Sequence, residues 1–139
     1  MILDTFYLIF GIDIALTVIM NKRILIIDDD EDILDILNTV FRDGGFDVII
    51  SNTGEAAEHI HIIHPDIILL DVRIEGSAKR GDEICAKIKT QYRNQNLPVV
   101  LVSAETNLAM LANDCGADFY IKKPFDIYDI LLQVKKHLV

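Results

Sequence analysis

Cysteine is scarce in this 139-residue chain, and basic residues are outnumbered by acids. The two cysteines, Cys85 and Cys115, lie far apart in apolar helical patterns. They lack the paired spacing of a thiolate metal site and read as small buried hydrophobes in a reducing compartment. Thirteen Lys and Arg against 22 Asp and Glu leave a net charge of -9. That balance argues against a nucleic-acid surface, which needs a basic stripe. It suits a protein that docks other proteins, or one whose acids bind cations. Internal repeats and low-complexity segments are absent. The length is that of one domain, enough to bury a core without disulfides.

Long apolar runs are missing after residue 20, but the first twenty residues, MILDTFYLIFGIDIALTVIM, are almost long enough to span a bilayer. Asp4 and Asp13 oppose a span, Asp13 because it would lie mid-segment. The basic start and small-residue cleavage site of a signal peptide are lacking. Three readings stand. The segment is an upstream extension ahead of a natural start at Met20, a membrane anchor with Lys22 and Arg23 on the cytoplasmic side, or an apolar element that docks on its own domain or on a second copy in a homodimer. The domain proper is expected over residues 21–139, with 1–20 as an apolar extension.

From Lys22 onward, short apolar runs alternate with helical patterns. Runs at Ile24–Ile27, Phe46–Ile50, Ile67–Leu70, Val99–Val102 and Phe119–Ile121 predict five strands. Ile33, Leu34, Ile36, Leu37, Val40 and Phe41 recur at helical spacing and stop at Gly44-Gly45. A second helix is expected from a Thr53 cap to His64, ended by Pro65. A polar loop, Glu75 to Gly81, leads to a third helix through Ile84, Cys85 and Ile88, with further helices over Thr106–Asp114 and from Ile127 to Leu138. Buried runs alternating with amphipathic helices imply an α/β fold, a doubly wound parallel sheet with five strands and five helices. Right-handed crossovers put every strand C-terminus at one edge, where such folds bind ligands.

At that edge the residues carry chemistry. Strand one runs into Asp28-Asp29-Asp30, strand three into Asp71, strand four into Ser103-Ala104, and strand five into Lys122-Lys123-Pro124. Singly, each has an ordinary explanation: a helix cap, a solvated loop charge, a turn serine or a surface lysine. Together they make a site. Crowded carboxylates stay ionised cheaply only around a cation. Oxygen ligands select a hard metal, and Mg²⁺ is the usual one for phosphate chemistry. A carboxylate can then attack phosphorus, with Lys123 and the Ser103 hydroxyl on the phosphoryl oxygens.

The set Ile24-Leu25-Ile26-Ile27-Asp28-Asp29-Asp30, Pro65-Asp66-Ile67-Ile68-Leu69-Leu70-Asp71-Val72, Leu101-Val102-Ser103-Ala104 and Lys123-Pro124-Phe125 resembles the response-regulator receiver domain of two-component signalling, over about residues 21–139. The resemblance implies a flavodoxin-like sheet in the order 2-1-3-4-5. It implies Asp71 as the phosphorylated aspartate, Asp28 and Asp29 as the acidic pair for Mg²⁺, and Arg73 as the source of a backbone carbonyl to the metal. Asp30 is placed outside the pocket. Ser103 and Lys123 match the switch hydroxyl and the phosphate-binding lysine, and Lys123-Pro124 matches a cis peptide. Tyr120 matches an aromatic whose rotamer reports phosphorylation, or it is a half-buried strand aromatic. Glu75 departs from the pattern, standing where the family usually has proline, and the loop to Gly81 is about two residues longer than usual.

The implied function is a stand-alone cytoplasmic phosphoacceptor, served by a sensor histidine kinase or histidine phosphotransfer protein. Its output is docking to a downstream protein or phosphorelay, because no output domain fits after Val139. It binds no nucleic acid, meets a membrane only if the N-terminal segment anchors, and is no enzyme beyond its own phosphorylation and dephosphorylation. The alternative is a degenerate receiver that is never phosphorylated and acts as an interaction module. A flavin carrier fits poorly, since an acidic cluster repels a flavin phosphate. An aspartyl phosphatase fits poorly because Arg73 stands where its second acid belongs. An Arg73–Glu105 ion pair is expected over the phosphoryl site. His59, His61 and His64 read as a solvated helix face, because positions 59 and 61 do not share a face for a metal.

Overall fold

The computed structural model of the protein describes residues 22–138. The readings of residues 1–20 lie outside these. Among the described residues, no helix is long and apolar enough to cross a membrane.

Five parallel strands, β1 (Arg23–Ile27), β2 (Asp47–Ser51), β3 (Ile67–Leu70), β4 (Val99–Ser103) and β5 (Phe119–Lys122), pair in the order 2-1-3-4-5. The helices are α1 (Glu31–Asp43), α2 (Ile60–Ile63, preceded by a 3₁₀ turn over Gly54–His59), α3 (Gly81–Gln91), α4 (Leu108–Cys115) and α5 (Ile127–Leu138). Every residue of β3 and β4 is buried, and so is β1 after Arg23. That is why these strands are continuous apolar runs: they are covered on both faces. Edge strand β2 mixes buried Val48 with exposed Asp47 and Ile50.

Strand side chains alternate between two cores. Ile24, Ile26, Ile67, Leu69, Val100 and Val102 pack with Leu34, Leu37 and Phe41 of α1 and Ile130 and Val134 of α5. Leu25, Ile27, Ile68, Leu70, Val99 and Leu101 pack with Ile60 of α2, Ile84, Cys85 and Ile88 of α3, and Leu108 and Ala112 of α4. Cys85 and Cys115 are both free and buried, as expected of small hydrophobes.

Several boundaries differ from expectation for local reasons. Phe46 precedes β2 and packs edge-on against Phe41, with ring centroids 5.4 Å apart. Ser103 is the last residue of β4, and Lys122 the last of β5, because the two pair in register. The fourth helix starts at Leu108 rather than Thr106. Ile36 and Ile127 face outward from α1 and α5. The second helix is split, and Thr53 makes no side-chain cap bond. The Thr53 N–H and carbonyl are instead bonded by the Ser51 hydroxyl at 3.3 and 2.9 Å, and the first N–H of the turn, on Gly54, donates to Ser77 Oγ at 2.7 Å. His64 ends α2 in the left-handed region at φ 53°.

Candidate functional site

Register places the site. Ile27 of β1 pairs with Leu70 of β3, so the next residues, Asp28 and Asp71, emerge side by side at the strand C-termini. Here β1 is flanked by β2 on one side and β3 on the other, so the chain reverses direction across the sheet and opens a crevice. Backbone bonds hold both acids in place: Asp28 N–H donates to the Ser51 carbonyl at 3.1 Å, and Asp71 N–H to the Ile27 carbonyl at 2.9 Å. Lys123 N–H donates to the Ser103 carbonyl at 2.9 Å, which carries the β4–β5 ladder one residue past β5.

The sequence-predicted residues converge. Carboxylate oxygens of Asp28, Asp29 and Asp71 lie within 4.8 Å of one another. Lys123 Nζ donates to Asp28 Oδ2 at 2.6 Å and to Asp71 Oδ2 at 2.9 Å. Asp28 is 2% exposed, Asp71 7% and Ser103 3%. The Lys123-Pro124 peptide is cis. Asp29, Asp71, Ser103 and Lys123 border an open cleft of about 540 Å³, which Arg73 and Glu105 also line. Those two form the expected ion pair, with Arg73 largely exposed and Glu105 mostly covered.

The electrostatics follow from burial. Loss of solvation pushes the Asp28 carboxyl up to about 6, with the Asp71 charge adding to the rise, while bonds from Lys123 and from the Asp30 N–H pull the other way. Burial also works against the Lys123 charge. The hydrogen bonds to Asp28 and Asp71 outweigh it and hold the ammonium above the usual lysine range. Three hard carboxylate donors gathered this closely fit a divalent cation.

Other predicted residues fall elsewhere. Asp30 caps α1, accepting from the Asp32 and Ile33 N–H groups at 3.0 and 3.3 Å. Tyr120 is on β5 and 47% exposed. His59, His61 and His64 are all exposed, and among the described residues the three acids are the only group with metal-ligand spacing.

Two contributors escape a reading of side-chain chemistry. A Cβ on Gly81 would sit 1.8 Å from the Asp71 carbonyl oxygen, and the Gly81 N–H donates to the Val72 carbonyl at 2.7 Å. Only glycine lets α3 begin against the backbone of Asp71. Its signal in the sequence is its place at the end of the polar loop. The other is the Glu75 backbone N–H, which donates to Asp29 Oδ2 at 3.1 Å and has no sequence signal.

Residues 24–135 match the model of the response regulator receiver domain family. Solved structures agree. A CheY-like response regulator receiver domain protein from Methanospirillum hungatei is 29% identical, with 85% of this chain and 94% of that one covered and a TM-score of 0.76. The receiver domain of NtrX from Brucella abortus is 30% identical, with coverage of 83% and 97% and a TM-score of 0.75. A putative response regulator from Chloroflexus aurantiacus is 26% identical, with coverage of 85% and 98% and a TM-score of 0.77.

Proposed function

The chain belongs to the response regulator receiver domain family, and on that premise we propose that Asp71 is the phosphoacceptor, taking a phosphoryl group from a histidine kinase or histidine phosphotransfer protein with Mg²⁺ as cofactor. The observation that carries this reading is the lysine bridge: one ammonium touches two buried acids, Asp28 and Asp71, at the mouths of adjacent strands. In the transfer, an Asp71 carboxylate oxygen attacks phosphorus, the phosphorus–nitrogen bond to the donor imidazole breaks, and the imidazole leaves with its electron pair. Lys123 is already at Asp71 and pairs with a phosphoryl oxygen, while the Ser103 hydroxyl donates to another. Asp28, Asp29, Asp71 and the Arg73 carbonyl are the groups that would hold Mg²⁺, which when bound supplies the positive charge that lets an anionic carboxylate meet an anionic phosphoryl group.

The chain promotes the gain and loss of its own phosphoryl group and turns over no separate substrate pool. Phosphorylation biases a two-state equilibrium that a downstream protein reads by docking, with Tyr120 as its reporter on β5. The Arg73–Glu105 pair stands over the phosphoryl site and restricts attacking water. Transfer from acetyl phosphate tests the metal dependence directly. Label incorporated with Mg²⁺ and lost with chelator supports the reading, and uptake indifferent to chelator overturns the role of the metal.

A further inference from the structure

The three acids of the site are not held alike. Asp28 accepts from the Asp30 N–H and from Lys123, and Asp71 from the Val72 N–H and from Lys123. Among the described residues, the Asp29 carboxylate has a single donor, the Glu75 backbone N–H. That donor sits in a turn, Ile74-Glu75-Gly76-Ser77, closed by the Ser77 N–H donating to the Ile74 carbonyl at 3.2 Å. Gly76 has φ 80° while Glu75 does not have positive φ, the φ pattern of a type II turn with Glu75 at its second position. Its first residue, Ile74, is buried in the core. At its far end the Ser77 hydroxyl accepts from the Gly54 N–H at 2.7 Å. Fit there is close, since a Cβ on Gly54 would lie 3.1 Å from Ser77 Oγ and 2.8 Å from Ile84 Cδ1.

We propose that the 74–77 turn is a positioning device for Asp29: the Glu75 backbone N–H aims the carboxylate at Asp28 and Asp71, and the Ser77–Gly54 bond keeps the turn within reach. This rests on the receiver reading, in which Asp29 helps to hold the cation. A ligand carboxylate with no partner rotates freely and must be ordered when the cation arrives. Partners outside the coordination sphere remove that cost and orient the ligand. The donor belongs to the backbone, so a substitution that keeps the N–H keeps this contact. Proline at 75 would abolish it, since proline has no N–H.

The test is Mg²⁺ titration of the full chain, with binding read by calorimetry and by amide resonances. Proline is favoured at the second position of a type II turn, so Glu75→Pro removes the donor and keeps the turn. Glu75→Pro is expected to weaken Mg²⁺ binding about tenfold or more, as loss of such partners does. Glu75→Ala, which removes the same carboxylate but retains the N–H, is expected to bind Mg²⁺ about tenfold or more tightly than Glu75→Pro. Ser77→Ala is expected to weaken Mg²⁺ binding and to lose hydrogen-exchange protection at the Gly54 amide, and Ser77→Thr to recover both. The Ser77 pair carries the test if Glu75→Pro does not fold. Glu75→Pro with wild-type affinity, or Glu75→Ala as weak as Glu75→Pro, overturns the proposal. Failure of the wild type to bind Mg²⁺ overturns the proposed Mg²⁺-dependent function and this inference with it. That result is distinct from binding that the turn variants leave intact.

Discussion

A carboxyl as buried as Asp28, 2% exposed, is held in its charged form only at a cost. Its pKa is about 6 in the fold against 3.8 when exposed, so at neutral pH the metal-free protein loses on the order of 3 kcal/mol to this one group. The sign is that of a raised acid. Below about pH 4 Asp28 is protonated in both folded and unfolded chains, the penalty grows as pH rises toward 6, and it is complete above that. Asp28→Asn is therefore expected to raise the stability of the metal-free protein at pH 7 by up to about 3 kcal/mol. The gain shrinks toward zero at pH 4, and thermal unfolding in chelator across that range checks it. Under the proposed function the same variant is also expected to lose Mg²⁺ binding, because an amide would replace a charged ligand. Arg73 lines the cleft together with Glu105. Its pair with Glu105 is exposed on the arginine side, so Arg73→Ala should leave folding nearly unchanged and shorten the lifetime of the phosphoryl group. An unchanged lifetime, followed as decay of label after donor removal, would show that the pair is merely two solvated side chains.

Elements set where those residues meet. Helix α3 starts so close to β3 that Gly81 cannot carry a side chain: a Cβ would lie 1.8 Å from the Asp71 carbonyl oxygen and 2.9 Å from Val72 Cα. Gly81→Ala is expected to push α3 off the strand end, cost about 1–3 kcal/mol as overpacking does, and impair phosphoryl uptake by moving Asp71. Uptake equal to wild type at unchanged stability would contradict this. The buried strands were legible in the sequence because burial on both faces demands continuous runs such as Ile67–Leu70, and the amphipathic helices because Leu34, Leu37 and Phe41 recur on one face. The break in the second helix was not. Its first N–H is bonded by Ser77, 23 residues away, and no local capping rule points to a partner that distant. Glu75 was visible as a departure, but its use was hidden because the donating group belongs to the backbone.

Across the whole molecule, two apolar layers clamp the sheet and leave one edge polar, so charge gathers where the strands end. Asp28, Asp29, Asp71, Ser103 and Lys123 were legible as a set because each follows or closes an apolar run. Their distances depend on strand order and register, which no residue pattern states by itself. The bridge from Lys123 to Asp28 spans 95 positions in sequence and exists only because β1, β3, β4 and β5 are neighbours in that order. This assembly is what we propose makes Asp71 a phosphoacceptor. Intact mass after incubation with acetyl phosphate and Mg²⁺, for the wild type and for Asp71→Asn, tests it most directly. A gain of one phosphoryl group (about 80 Da) in the wild type alone is the predicted result. No gain in either protein would contradict it and leave the chain a receiver fold that serves only as an interaction module.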